Sequence, residues 1–188
     1  WINEKGIIRS VACPANAVRP LTNNRATLLS DIKAFSSTGY TAGHIGTQWA
    51  RYVLSSKWNT VWPSSKAVAA GTKGTKKIAI LMTDGLYNTS FDAQGKGKIV
   101  EPNSSSTDAA LAACKAMDKE GTVVYTIGFD LNGASGTWAK DMLKECASTI
   151  TDENGNTRKA FYDVSDDAGL KAAYQDIAAR LLRIRVTS

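Results

Sequence analysis

The chain has 188 residues, 43% hydrophobic and 21% charged, a usage that fits one globular domain and excludes extended disorder. Its formal net charge of +6 attracts acidic partners weakly at low salt, but the basic residues are scattered and no nucleic-acid partner is expected. No apolar run approaches the roughly 20 residues that cross a bilayer, and Trp1-Ile2-Asn3-Glu4-Lys5 does not read as a signal peptide, so a membrane anchor is expected only upstream of Trp1.

In chain order, residues 7–12 (IIRSVA) read as a short edge strand, and Pro14 and Pro20 bound the segment after it. Asn23 and Asn24 offer caps for a first helix in which Ala26, Leu28, Leu29, Ile32 and Phe35 recur at helical spacing, ending by Gly39. Residues 39–43 (GYTAG) form a loop. A second helix is expected over 43–54, with Ile45, Trp49, Tyr52 and Val53 as its buried side. Residues 56–75, rich in Ser, Thr, Gly and Lys, read as a surface connection pinned by Trp58 and Trp62; a binding patch is the alternative for the two indoles.

Residues 77–83 (KIAILMT) are an apolar run ending in Asp84-Gly85, which suits a strand covered by helices on both faces. A polar excursion over 86–106 leads to Ser106 or Thr107 as cap of a helix that stops at Gly121. Residues 122–129 (TVVYTIGF) repeat the strand pattern, and a helix over 136–148 carries Trp138, Met142, Leu143 and Cys146. After a polar turn at 152–156 come a short strand over 160–164 and a last helix from about Asp167, with Leu170, Ala173, Tyr174, Ile177 and Leu181 as its apolar stripe. This alternation predicts an α/β fold, a doubly wound, mostly parallel sheet with helices on both faces, in which ligands gather at the carboxyl ends of the strands.

Of the three cysteines, none forms a CxxC pair, and with a single histidine a structural zinc site is not expected. Cys114 and Cys146 fall on neighbouring predicted helices and can bridge if their Cα atoms come within about 7 Å. Buried thiols are the alternative. A bridge would imply an oxidising compartment and leave Cys13 over.

Asp84 sits at the carboxyl edge, where a carboxylate needs backbone amides, water or a cation. Thr41, in the loop between the first two helices, offers a hydroxyl oxygen. If the two loops converge, the pair supplies hard oxygen ligands suited to Mg²⁺; an Asp that caps a turn is the plain alternative. His44, near Thr41, reads as a helix-start histidine bonded to water or a carbonyl rather than as a catalytic base.

The run IAILMTDG at 78–85, followed by VVYTIGF at 123–129, resembles the centre of a von Willebrand factor A domain. The chain is most similar to the A-like domain of TadG-type proteins of bacterial tight-adherence (Flp) pilus systems. That likeness runs through CP…PLT at 13–22, GYTAGHIGTQWARYVLS at 39–55, LAACKAM at 111–117, LKECAS at 143–148 and AAYQDIAARLLRIRVT at 172–187, nearly the whole length.

The resemblance implies a metal-ion-dependent adhesion site, to which the family contributes a DxSxS segment, a loop Thr and a strand-end Asp. Thr41 and Asp84 match the last two. The DxSxS segment, with its strand, is not found between Trp1 and Ser188. Residues 1–188 are therefore expected to be the C-terminal portion of a single A-like domain whose amino-terminal part, including the central first strand, is missing, and Mg²⁺ binding is expected only if that part is supplied.

The functional expectation is a noncatalytic protein-interaction module of a pilus-assembly protein, at the periplasmic side or surface of the bacterial envelope, whose Mg²⁺ receives an acidic side chain from a protein partner. One alternative is a structural assembly component with an incomplete metal site. Another, a metal-assisted hydrolase, has against it the lack of a GxxxxGK[ST] loop, a GxSxG turn or a second carboxylate at interpretable spacing.

Overall fold

The computed structural model describes residues 16–36, 40–91, 97–100, 105–151 and 154–184. The strand expected over 7–12 and Cys13 lie outside them, whereas the first helix ends at Lys33, ahead of Gly39 as expected. The elements are helices α1 (Arg25–Lys33), α2 (Gly43–Leu54), α3 (Ser105–Lys119), α4 (Gly133–Cys146) and α5 (Asp167–Ile184), and strands β1 (Lys77–Thr83), β2 (Thr89–Phe91), β3 (Gly97–Ile99), β4 (Thr122–Phe129), β5 (Thr149–Thr151), β6 (Thr157–Lys159) and β7 (Phe161–Val164). A 3-10 helix, Ser56–Thr60, comes after α2.

The two apolar runs become the spine of the molecule. β1 pairs in parallel with β4 from Lys77↔Thr122 to Thr83↔Gly128, and β4 pairs in parallel with β7 from Thr126↔Phe161 to Phe129↔Val164. The sheet order is β1-β4-β7, and helices flank it on both sides in a doubly wound α/β arrangement. Because side chains alternate along a strand, each run serves two cores. Ala79, Leu81 and Val124 face Cys114 and Met117 of α3 and Cys146 of α4. Tyr125 and Ile127 face Ala173 and Ile177 of α5.

β1 is not covered on both faces as its apolar sequence predicts. Ala79, Leu81 and Thr83 are buried, but Ile80 and Met82, pointing the other way, are 37% and 43% exposed. Helix α5 covers the β4 and β7 side of that face and Ile78 of β1 packs at the border of this core, which leaves Ile80 and Met82 the more open positions. A similar departure occurs in α1. Asn24 caps it as predicted, its Oδ1 accepting the Thr27 N–H at 3.0 Å, yet Leu28, Leu29, Ile32 and Phe35 all stand exposed.

Helix α2 keeps its predicted bounds but buries a different stripe. Thr47 is its buried residue and Ala50 and Leu54 pack on the core, while Ile45 is exposed. Together with Gly43 these positions fall at i, i+4, i+7 and i+11, one helix face on which Gly43, Thr47 and Ala50 are small enough to admit close neighbours. Trp49 and Tyr52 go instead to an aromatic cluster with Trp58 and Trp62: Tyr52 stacks on Trp58 at 4.2 Å, and the indoles of Trp49 and Trp62 pack beside Trp58. The connection after α2 is thus pinned by its two indoles, as the sequence suggests.

Helix α4 begins at Gly133, three residues earlier than predicted, and Gly136 within it is a packing position: a Cβ there would lie 2.6 Å from the Leu131 carbonyl carbon. Ser106 and Thr107, expected as caps, lie inside α3 and are buried. Of two antiparallel hairpins, β2–β3 falls within the stretch read as a polar excursion, and β5–β6 flanks the expected polar turn at 152–156. Cys114 and Cys146 form a disulfide with their Cα atoms 5.3 Å apart, joining α3 to α4.

Candidate functional site

At the carboxyl end of β1 the chain turns sharply. The buried Thr83 hydroxyl accepts the Gly85 N–H at 3.2 Å and lies 3.0 Å from the Gly85 carbonyl, to which it can donate. A turn closed by Thr83 leaves Asp84 at its tip, exposed to solvent.

The Thr41 loop is fastened to the segment just beyond. Its carbonyl accepts the N–H groups of Asn88 and Thr89 at 3.0 and 3.2 Å, and its own N–H donates to Asn88 Oδ1 at 3.0 Å. Thr41 is therefore held to the segment that follows Asp84, through a residue four positions past it. Below it, the buried Tyr87 ring lies against Gly43, and Thr47 Oγ1 donates to the Gly43 carbonyl at 2.8 Å. Burial pushes the Tyr87 phenol up, opposed by its hydrogen bond with Thr47.

His44, in the first turn of α2, pairs through Nδ1 with the fully buried Ser106 hydroxyl at 2.8 Å, a side-chain partner the sequence did not suggest. Partial burial lowers its pKa, because imidazolium loses hydration there. The pair ties α2 to α3 beneath the Thr41 loop.

For chemistry, this edge offers the oxygens of Thr41 and Asp84, hard donors that fit part of an octahedral Mg²⁺ shell. Among the described residues no three His, Cys, Asp or Glu side chains gather to hold a metal ion. The two side chains would supply no more than a fragment of such a shell, and the remaining ligands would have to come from water or from residues outside the described set.

Asn88 and Tyr87 organise this edge and escaped sequence reasoning, and Ser106, expected only as a helix cap, serves as the partner of His44. Asn88 and Tyr87 lie in a polar stretch without periodicity. Gly43 did carry a signal, since a glycine at a helix start can mark close approach by another side chain as well as a turn.

No family model and no curated protein matches the chain. Among solved structures it is similar to crystal structures of the pilus adhesin SpaC from Lactobacillus rhamnosus GG. One form matches with a TM-score of 0.57 and the open conformation with 0.51, each at 15% identity over 85% of this chain. The matched part is 21% of the SpaC chain, so residues 1–188 span about a fifth of that protein. At this identity the likeness is one of fold: the chain has an α/β fold that is also found in a pilus adhesin.

Proposed function

We propose that this chain is a noncatalytic protein-interaction module of a bacterial pilus-assembly protein, built as the C-terminal portion of a von Willebrand factor A-like domain of TadG type. The observation that carries the reading is the three-bond tether between Thr41 and the Asn88 segment, which draws the Thr loop to the strand end that bears Asp84. Thr41 and Asp84 would act as Mg²⁺ ligands, directly or through water, and a partner's acidic side chain would complete the shell while the loops select the partner. The fold shared with a pilus adhesin supports a pilus-related role, and the Cys114–Cys146 bridge supports a place on the periplasmic side or surface of the envelope.

The missing first strand belongs to the same proposal. Among the described residues no strand pairs with the outer edge of β1, Ile80 and Met82 on one of its faces are partly exposed, and α1 exposes a second apolar side. An unpaired, apolar edge strand is a template for further pairing, so a preceding segment would add a strand beside β1 and bring the DxSxS ligands. A second reading, a structural assembly component with a non-binding site, is favoured by the absence of a metal-sized cluster of acidic or histidine side chains among the described residues.

Calorimetric titration of Mg²⁺ into the protein with and without its preceding segment separates the two. Binding that needs the segment and disappears in Asp84→Ala supports the adhesion site. Binding unchanged by Asp84→Ala removes the ligand assignment, and no binding with the segment in place leaves the structural reading.

A further inference from the structure

A second feature lies at the opposite edge of the sheet, where β1 and β4 begin. The register partners Lys77 and Thr122 open onto a groove of about 410 Å³ that also has Arg51, Tyr52, Lys57, Trp58 and Glu120 in its walls. That volume lies in the range of binding clefts, roughly 300–1,000 Å³. The segment over 55–83 that runs past it contains five lysines and no acidic residue.

The groove already holds one carboxylate of the chain itself. Arg51 forks onto Glu120, Nε reaching Oε1 and Oε2 at 3.1 and 3.0 Å while Nη2 also binds Oε1. That contact, together with the charges of Lys57 and Lys77, holds the Glu120 carboxyl below its usual range. Glu120 offsets one of three cations. Lys57 and Lys77 have no ion-pair partner among the described residues, and the stacked Tyr52 and Trp58 rings stand half-buried beside them.

We propose that this groove docks an acidic peptide segment of a partner protein, placing carboxylates on Lys57 and Lys77 and an apolar side chain against Trp58 and Tyr52. Trp, Tyr and Arg are the residues that dominate protein–protein hot spots, and the uncompensated ammonium groups set the sign of the partner. A sulfated polysaccharide or an anionic membrane would respond to the whole basic segment, Lys66, Lys73 and Lys76 included, and would not need the rings.

The test uses a capped decapeptide of Glu with interspersed Leu, titrated at low salt while tryptophan emission and heat are monitored. The expected result is saturable one-to-one binding, weakened about tenfold in Lys57→Ala/Lys77→Ala and no more than about twofold in Lys66→Ala/Lys73→Ala, which removes the same charge. Trp58→Leu, or a peptide with Ala in place of Leu, should also bind more weakly. Equal losses in the two double variants, or no saturable binding at millimolar peptide, would overturn the proposal. So would tight binding of dextran sulfate or phosphatidylglycerol vesicles that the peptide does not displace.

Discussion

The Tyr87 ring occupies the space into which a side chain at Gly43 would project: a Cβ built on Gly43 would lie 2.1 Å from Tyr87 Cε1. Tyr87 is buried and tied to Thr47, so it has little room to retreat. Gly43→Ala should therefore destabilise the protein by about 1–3 kcal/mol, the usual cost of overpacking. Urea unfolding would measure this, and an unchanged midpoint would show that the ring swings away freely.

Asn88 makes the tether of the Thr41 loop with both its side chain and its backbone. In Asn88→Ala the side-chain acceptor of the Thr41 N–H is lost while the backbone bonds persist. A loss of about 1 kcal/mol is expected, with faster hydrogen exchange at the Thr41 amide. Exchange as slow as in the parent would mean that the backbone bonds alone hold the loop.

His44 introduces a pH dependence of definite sign. Burial depresses its folded pKa below the ordinary value of 6.5, so the unfolded chain takes up a proton more readily. Its contribution is fully present above about pH 6.5 and is lost as pH falls through the folded value. Replacing His44 with Gln should flatten the stability profile below pH 6.5 and leave it unchanged at pH 8. A variant whose profile keeps the parent's slope there would assign that slope to other groups.

The bridge between Cys114 and Cys146 closes a loop with a sequence separation of 32. Replacing both by Ser should cost about 2–4 kcal/mol, largely because the unfolded chain regains freedom. Reduction of the parent with dithiothreitol should destabilise it by a similar free energy, read as a lower melting temperature. A parent insensitive to reductant would show that packing around the two helices suffices.

Much of this fold was legible because its central strands are continuous apolar runs. Residues 77–83 and 122–129 became β1 and β4 at the predicted bounds, and a run bounded by polar residues needs no partner to be recognised. The hairpins were not legible, since strands of three residues, such as Thr89–Phe91 and Thr157–Lys159, are too short for alternation to show. Helix α2 misled in another way. Its large residues, Trp49 and Tyr52, suggest the core face, but the face turned inward carries Gly43 and Thr47 against Tyr87 and Ala50 and Leu54 on the core, and the rings close the cluster with Trp58 and Trp62.

At the carboxyl edge, the sequence marks Asp84 through its place after an apolar run and points to Thr41 through family likeness. The Asn88 amide side chain that fastens the Thr41 loop to the segment after Asp84 belongs to tertiary structure and leaves no spacing to read.

The covalent link between α3 and α4 also determines how the protein responds to tension. β4 lies wholly inside the stretch that the bridge closes. A pull on the two ends of the chain passes from residue 114 directly to residue 146 and bypasses the middle strand of the sheet. Stretching can peel away β1 or β7, but β4 cannot be drawn out into an extended tether until the sulfur–sulfur bond is cut.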